Sequence, residues 1–368
     1  MAAQAEVVRR RGELRNTKEA LKRKRLTVGY IGGSITDGRP GHNWPEPVTR
    51  WLVDQFPEAR ITVENAGIGA TGSNLAAFRA QRDLIDPGCE LVFVEFAVND
   101  WEVPTQRRNK TREGLLRQLL ADGKRDVVIV YTYRQEMYED MVNGRVPDSI
   151  AEFEALAEHY GLNSVWMGLH ALQEVRRGLL QWEEWLPDGL HPTQRGSFSY
   201  GTSVIGLLQE ALLADEEPSA PASEGLPAPL TEGHWQNARL IPFDDIRTEG
   251  PWTVRRWVNL HWIDYTLSTF AVGAKLGFDF EGTVLALAFD FGKRSAEFRY
   301  RLDGGEWAAS NRIRPDWCGT SGWMKIEVLF DDLAPGRHSF ELEVVHGNEP
   351  GCEGTNFDLA FVGVVQEA

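Results

Sequence analysis

Four short blocks in this 368-residue chain hold the residue types that acyl transfer needs. They are Gly32-Gly33-Ser34-Ile35-Thr36-Asp37-Gly38, Asn65-Ala66-Gly67-Ile68-Gly69-Ala70-Thr71-Gly72, Ala97-Val98-Asn99-Asp100 and Asp188-Gly189-Leu190-His191-Pro192. A serine hydroxyl is a weak nucleophile until a neighbouring base takes its proton. Ser34 follows two glycines that allow a sharp turn, and His191 is the candidate base. Asp188, three residues earlier, is close enough to orient the imidazole and stabilise its charged form. The oxyanion that forms needs donors already in place. The Ser34 backbone N–H, an N–H from Gly69 or Ala70 and the Asn99 side-chain amide are the candidates.

These blocks need a scaffold that brings them to one edge. Short apolar runs recur at Leu26–Ile31, Ile61–Glu64, Leu91–Phe96, Val127–Tyr131 and Ser164–Met167. Helix-length segments lie between them, near Glu46–Phe56, Ser73–Leu84, Arg112–Leu120 and Pro147–Tyr160, and a last helix spans Thr193–Leu213. Runs without strict alternation fit strands buried on both faces. Alternation with helices predicts a three-layer α/β/α, doubly wound domain with a mainly parallel, five-stranded sheet over 26–214. Ligands collect beyond the carboxyl ends of such strands, where the first three blocks fall. Asp215–Leu230 is rich in Pro, Ala, Ser and Glu, and 215–235 reads as a linker. Beyond it, short β runs separated by turns such as Asp303-Gly304-Gly305 predict an all-β sandwich, jelly-roll-like, over 236–368. Residues 1–25 carry nine basic and three acidic side chains and read as a helical arm on the surface.

Composition narrows the function classes. Thirty-nine Lys and Arg against 54 Asp and Glu leave a net charge of −15, which repels phosphate backbones and anionic membranes. Neither nucleic acid nor membrane is expected as a partner. Three scattered cysteines, Cys89, Cys318 and Cys352, form neither a disulfide framework nor a zinc site, and no metal or organic cofactor is expected. The first 25 residues lack the apolar run of a secretory signal, so the expected location is the cytoplasm. The 13 tryptophans include Trp44 and Trp101, just after the first and third blocks, and Trp182 and Trp185, just before the fourth. Each is a candidate wall for an ester or sugar, with plain packing as the alternative. In the β-domain most tryptophans are expected in the core.

Ser, Gly, Asn and His in four ordered blocks resemble the SGNH (GDSL-type) hydrolase superfamily over about residues 26–213. The first block reads GGSIT rather than GDS, as in some carbohydrate-esterase-like branches, and the last fits DxxH. The third block has Ala97 where the family has glycine, and the second aligns Ala70 with the donor glycine. The resemblance implies Ser34 as nucleophile, His191 as base, Asp188 as its orienting acid, and Ser34, Gly69 or Ala70, and Asn99 as the oxyanion hole. It also implies a loop-holding role for Asp100, while Asp37, three residues past Ser34, reads as shaping the loop, with Asp188 the better choice of acid. The expected activity is hydrolysis of a short-chain, acetyl, ester on a small molecule or oligosaccharide. A lysophospholipase, thioesterase or general short-chain esterase, and a non-catalytic carbohydrate-binding protein, are the alternatives.

Rival motifs explain less. GxSxG and GxxxxGK[ST] are absent. Gly67, Gly69 and Gly72 match GxGxxG, with Glu90 and Glu95 near the spacing of a ribose-binding acid, but that reading leaves Ser34, Asn99 and His191 idle. His42, His159 and His170 read as surface or core histidines, and Cys89 as a small buried hydrophobe. The β-domain reads as a sugar-binding module, a lid or a dimerisation surface, and a homo-oligomer is left open.

Overall fold

A computed structural model of the chain describes residues 6–38, 42–214, 225–310, 314, 320, 323–346 and 351–367. Contacts divide it into two compact units, Met1–Gln236 and Asn237–Ala368.

The first unit runs β1 (Val8–Arg9), α1 (Arg15–Lys22), β2 (Arg25–Gly32), α2 (Pro45–Gln55), β3 (Arg60–Asn65), α3 (Ser73–Ala80), β4 (Leu91–Glu95) and α4 (Thr105–Leu120). It continues with β5 (Asp126–Val130), α5 (Tyr138–Val142), α6 (Asp148–His159), β6 (Asn163–Val165), α7 (Met167–Arg176), α8 (Trp182–Trp185) and α9 (Gln194–Leu213). The sheet order is β1-β6-β5-β4-β2-β3. β2 to β6 are parallel, and β1 pairs antiparallel with β6. All residues of β4 and β5 are buried, as strands covered on both faces must be. β3, at the edge, is mostly polar and partly exposed, which discourages pairing with another chain.

The order β4-β2-β3 places β2 between its two successors, so the chain leaves it in opposite directions at successive crossovers. That is a topological switch point, where open α/β sheets form a crevice. Ser34 stands two residues beyond the end of β2.

The arm does more than lie on the surface. Its first described residues add β1, a sixth strand, to the expected five. Arg11 secures it, donating from its backbone to Asn163 Oδ1 at 2.7 Å and from its guanidinium to Glu154 at 2.5 Å. The segment read as a linker also differs from expectation. Residues 215–224 lie outside the described residues, but 225–236 belong to the first unit. Glu113 accepts the Leu230 and Thr231 N–H groups at 2.7 and 2.6 Å, and Trp235 is fully buried against Phe78. Burying one large aromatic is worth about 1.5–3 kcal/mol, enough to dock a short tail.

The second unit is a β-sandwich, with eleven strands among the described residues: β7 (Ala238–Ile241), β8 (Arg247–Glu249), β9 (Thr253–Arg256), β10 (Tyr265–Thr269), β11 (Lys275–Glu281), β12 (Val284–Asp290), β13 (Glu297–Leu302), β14 (Ala308–Ala309), β15 (Met324–Phe330), β16 (Arg337–Val345) and β17 (Phe357–Val365). Two antiparallel sheets form, β15-β12-β17-β10-β9 with β7 also on β17, and β14-β13-β16-β11-β8. Phenylalanines fill the space between them: Phe298 of one sheet meets Phe289 and Phe357 of the other at 4.9 and 5.4 Å. The tryptophans here were expected in the core. Of those described, Trp262 is buried, whereas Trp252, Trp257, Trp307 and Trp323 are half-buried, and Trp317 lies outside the described residues. Trp307 instead lies under the guanidinium groups of Arg299 and Arg301, each 4.7 Å from its ring.

Among the described residues no helix is long and apolar enough to cross a membrane.

Candidate active site

The turn after β2 is fixed by its own backbone. Gly33 C=O accepts the Thr36 and Asp37 N–H groups at 3.1 and 3.0 Å, closing a tight bend that lifts Ser34 from the sheet edge. Ser34 Oγ lies 2.9 Å from His191 Nε2. His191 Nδ1 lies 2.8 Å from Asp188 Oδ2. With Nδ1–H donating to the carboxylate, Nε2 is left as the acceptor that faces the serine hydroxyl.

The histidine owes its position to a local turn. Asp188 Oδ1 accepts the backbone N–H groups of Leu190 and His191 at 2.9 and 2.7 Å. This side-chain-closed turn needs Gly189, whose φ of +78° lies in the left-handed region that glycine enters without strain. Thr193 then caps α9 by accepting the Gly196 N–H. Partial burial works to raise the Asp188 pKa. Hydrogen bonds from the His191 ring and from both N–H groups outweigh it and hold the carboxyl below its ordinary value. The pair is open to solvent, with His191 49 % and Asp188 54 % exposed in their side chains.

A cavity of about 440 Å³ opens at the serine, lined by Ser34, Ile35, Asp37, His42, Gly69, His191 and Pro192. Gly69 stands on its wall and is buried, whereas Ala70 is exposed and is not among the lining residues. Ala70 has φ +58°, an unusual value for a residue with a Cβ, and such strain costs on the order of 1 kcal/mol. Of the two oxyanion candidates in this block, Gly69 is the one that faces the cavity. Asn99 lies against Gly33, where a Cβ would stand 2.0 Å from its Oδ1. The Asn99 side chain has no hydrogen-bond partner among the described residues, so its donors are unspent.

The third block is pinned from below. Asp100 accepts from Ser73 N–H at 3.0 Å, Ser73 Oγ at 2.7 Å and Arg112 Nε at 2.8 Å, joining it to the start of α3 and to α4. This ion pair is almost wholly buried, with Arg112 0 % and Asp100 2 % exposed. Asp37 lines the cavity and its carbonyl accepts from Asn43 at 3.1 Å.

Two expectations for the wall need correction. Trp44 is fully buried, packed on Tyr30 and Phe93, and its indole N–H donates to Thr36 Oγ1 at 3.0 Å. It stands just ahead of α2 with its ring turned to the core, so it supports the turn instead of touching ligand. Trp101 is half-buried beneath the Arg134 guanidinium, 5.3 Å away, and does not line the cavity. His42, read as a surface or core histidine, does line it. Its only sequence signal was closeness to the first block. Cys89 is buried, and burial pushes its thiol up to about 12, so it offers no thiolate. Among the described residues no cluster of His, Cys, Asp or Glu could hold a metal ion. A base-paired hydroxyl beside unspent amide donors can attack a carbonyl and hold the resulting oxyanion.

Residues 30–197 match the model of the GDSL-like Lipase/Acylhydrolase family. No match is found among curated proteins. Among solved structures, the chain is similar to a two-domain esterase (CEX) active on acetylated mannans, in a crystal with mannopentaose. Identity is 22 % and the TM-score 0.80, over 98 % of this chain and 97 % of that one. A second crystal of that esterase gives 23 % and 0.79, over 98 % of each chain. A variant of Axe2, an acetyl xylan esterase from Geobacillus stearothermophilus, matches at 22 % and 0.40, over 50 % of this chain and 94 % of that one. The two-domain fold is therefore shared along nearly the whole chain, and residues 30–197, which carry Ser34, Asn99, Asp188 and His191, are similar to the GDSL-like lipase/acylhydrolase family.

Proposed function

We propose that the protein is a serine esterase that removes short acyl groups, acetyl above all, from carbohydrate esters. The observation that carries this is the continuous Ser34–His191–Asp188 hydrogen-bond line opening into a cavity walled by Gly69. Ser34 Oγ attacks the ester carbonyl as its proton passes to His191 Nε2. Asp188 holds the imidazolium through Nδ1–H. The oxyanion accepts from the Ser34 N–H, the Gly69 N–H and the Asn99 amide. As the tetrahedral intermediate collapses, the C–O bond to the sugar breaks and His191 returns its proton to the departing oxygen. Water, deprotonated by the same nitrogen, then attacks the acyl-enzyme and frees the acid and Ser34.

The sugar part of this reading rests on the other side of the same loop. A second cavity of about 510 Å³ is lined by Gln135, Tyr138, Trp182, Glu183, Leu186, Pro187 and Gly189. Pro187 and Gly189 flank Asp188, so the triad loop separates the two cavities. Trp182 is half-buried and stacks on the buried Trp185 at 5.0 Å, a braced aromatic beside polar Gln135 and Glu183, which suits a sugar ring. The shared fold with an esterase named as active on acetylated mannans points the same way.

The test is a chain-length series of p-nitrophenyl esters beside acetylated manno- and xylo-oligosaccharides. Acetate release from the sugars, and a kcat/KM that falls from acetyl to octanoyl esters, is the expected result. A preference for long acyl chains would point to a lysophospholipase or thioesterase and overturn the proposal. Asp188→Asn is expected to lower kcat by on the order of 10²–10³. That is less than the roughly 10⁴ typical of a buried triad acid, because solvent reaches this pair and replaces part of what the carboxylate does. A loss under tenfold in steady-state kinetics would remove Asp188 from the mechanism.

A further inference from the structure

β4 reads Leu-Val-Phe-Val-Glu, and its last residue, Glu95, is the one charged type in a strand buried from end to end. Its side chain is 0 % exposed. A lone carboxylate in such a place costs several kcal/mol unless a cation compensates it. None does among the described residues. The charged or titratable groups that face Glu95 are Asp100, of like sign and already paired with Arg112, and the buried Tyr200.

What Glu95 does hold is the turn above it. Its Oε2 accepts the Gly33 N–H at 3.4 Å and the Thr36 hydroxyl at 3.2 Å. Thr36 Oγ1 is already the acceptor for the Trp44 indole N–H, so its own hydrogen is free for Glu95. Oε1 lies 2.7 Å from the Thr132 hydroxyl, just beyond β5. The carboxyl is thereby satisfied by three donors, with Oε2 accepting twice and Oε1 accepting the Thr132 hydroxyl. Burial drives the Glu95 pKa upward, and the hydrogen bonds from Thr132, Gly33 and Thr36 pull it back by less.

Gly33 is thereby gripped on three sides. Glu95 takes its N–H, Thr36 and Asp37 donate to its C=O, and the Asn99 amide lies against its Cα. We propose that Glu95 is a positioning residue, a buried carboxyl that clamps Gly33 and Thr36 and so fixes where Ser34 presents its hydroxyl and its N–H. The proposal rests on Ser34 being the nucleophile. Glu95 touches no reacting atom; it acts through the turn.

The experiment compares Glu95→Gln, Glu95→Ala and Thr36→Val on p-nitrophenyl acetate, with a fluorophosphonate labelling rate and a thermal melt for each. The glutamine keeps the bonds from Gly33 and Thr36 and meets Thr132 through its amide. It should keep kcat within about threefold and leave the pH–rate profile where it was. Glu95→Ala frees the turn and should lower kcat and the labelling rate together by about 100-fold at unchanged KM, the scale expected of an ångström of misplacement. Thr36→Val, nearly isosteric, should give a loss in the same direction and keeps the test available if the alanine variant does not fold. Three results would each overturn the clamp: Glu95→Gln as impaired as Glu95→Ala, Glu95→Ala less stable but with kcat intact, or, where Glu95→Ala does not fold, Thr36→Val with kcat intact. Absence of phosphonate labelling at Ser34 in the wild type would instead sink the serine-esterase reading itself.

Discussion

Ser34→Ala and His191→Ala each lower kcat on p-nitrophenyl acetate by about 10⁵–10⁶, and the double variant falls no further than either alone. The reason is that the two side chains are one device. The hydroxyl is activated only through the 2.9 Å contact to Nε2, and the imidazole has no other proton to take in the first step. Residues that act as a unit give strongly non-additive losses when removed together. The activity left in each variant is what the oxyanion donors and binding alone supply. Burst and steady-state kinetics on the three variants check this. Losses that multiply in the double variant would show two independent contributions and break the coupled scheme.

The second large effect comes from a single methyl group. Gly33→Ala places a Cβ 2.0 Å from Asn99 Oδ1 and 2.5 Å from its Nδ2, well inside any permitted contact. To relieve the clash, the Asn99 amide swings out of the oxyanion hole and the turn carrying Ser34 backs away from His191. Loss of one oxyanion donor costs about 10²–10³ in kcat. Displacing the nucleophile by an ångström costs about another 10². The expected loss is on the order of 10⁴. Trimming Asn99 to Ala relieves the clash, so Gly33→Ala/Asn99→Ala should perform no worse than Asn99→Ala by more than about tenfold. If the double variant instead shows the full product of the two single losses, steric exclusion is not what Gly33 is there to prevent.

Much of this arrangement was legible before any coordinates. β2 and β3 extend one residue beyond each end of the apolar runs that announced them, β5 lies one residue earlier than its run and β4 ends one residue short; the buried strands are legible because burial on both faces leaves an unbroken apolar signature. The run Ser164–Met167 was less clear. The strand stops at Val165 and α7 begins at Met167, and periodicity cannot separate a short buried strand from a buried helix start. In the β-domain, β8 and β9 are short and exposed and carry little signal. All residues of β8 and β9 lie on the surface, where no apolar pattern is required. β1 is two residues, held through Arg9 by Glu154 and, just beyond it, through Arg11 by Asn163, partners about 150 positions away in sequence.

The site divides in the same way. The juxtaposition of Ser34, His191 and Asp188 was readable because it depends on local turns, and turns are written in adjacent residues. Trp44 was misread because nearness in sequence to Ser34 says nothing of the direction in which a side chain points. The places of Glu95 and His42 carry no such local signal, since they arise only when β4 and the loop after β2 come together. A single acidic residue closing a wholly apolar strand was the available sign. Glu95 had been weighed only as a ribose ligand, and the structure turns it inward, beneath Gly33.

The most direct measurement of the central claim is to react the intact protein with a fluorophosphonate and map the adduct by peptide mass spectrometry. The account predicts one adduct per chain, on Ser34, with loss of ester hydrolysis in proportion to labelling and strongly slowed labelling in His191→Ala. An adduct on a different residue, or full esterase activity after Ser34 is blocked, would contradict it.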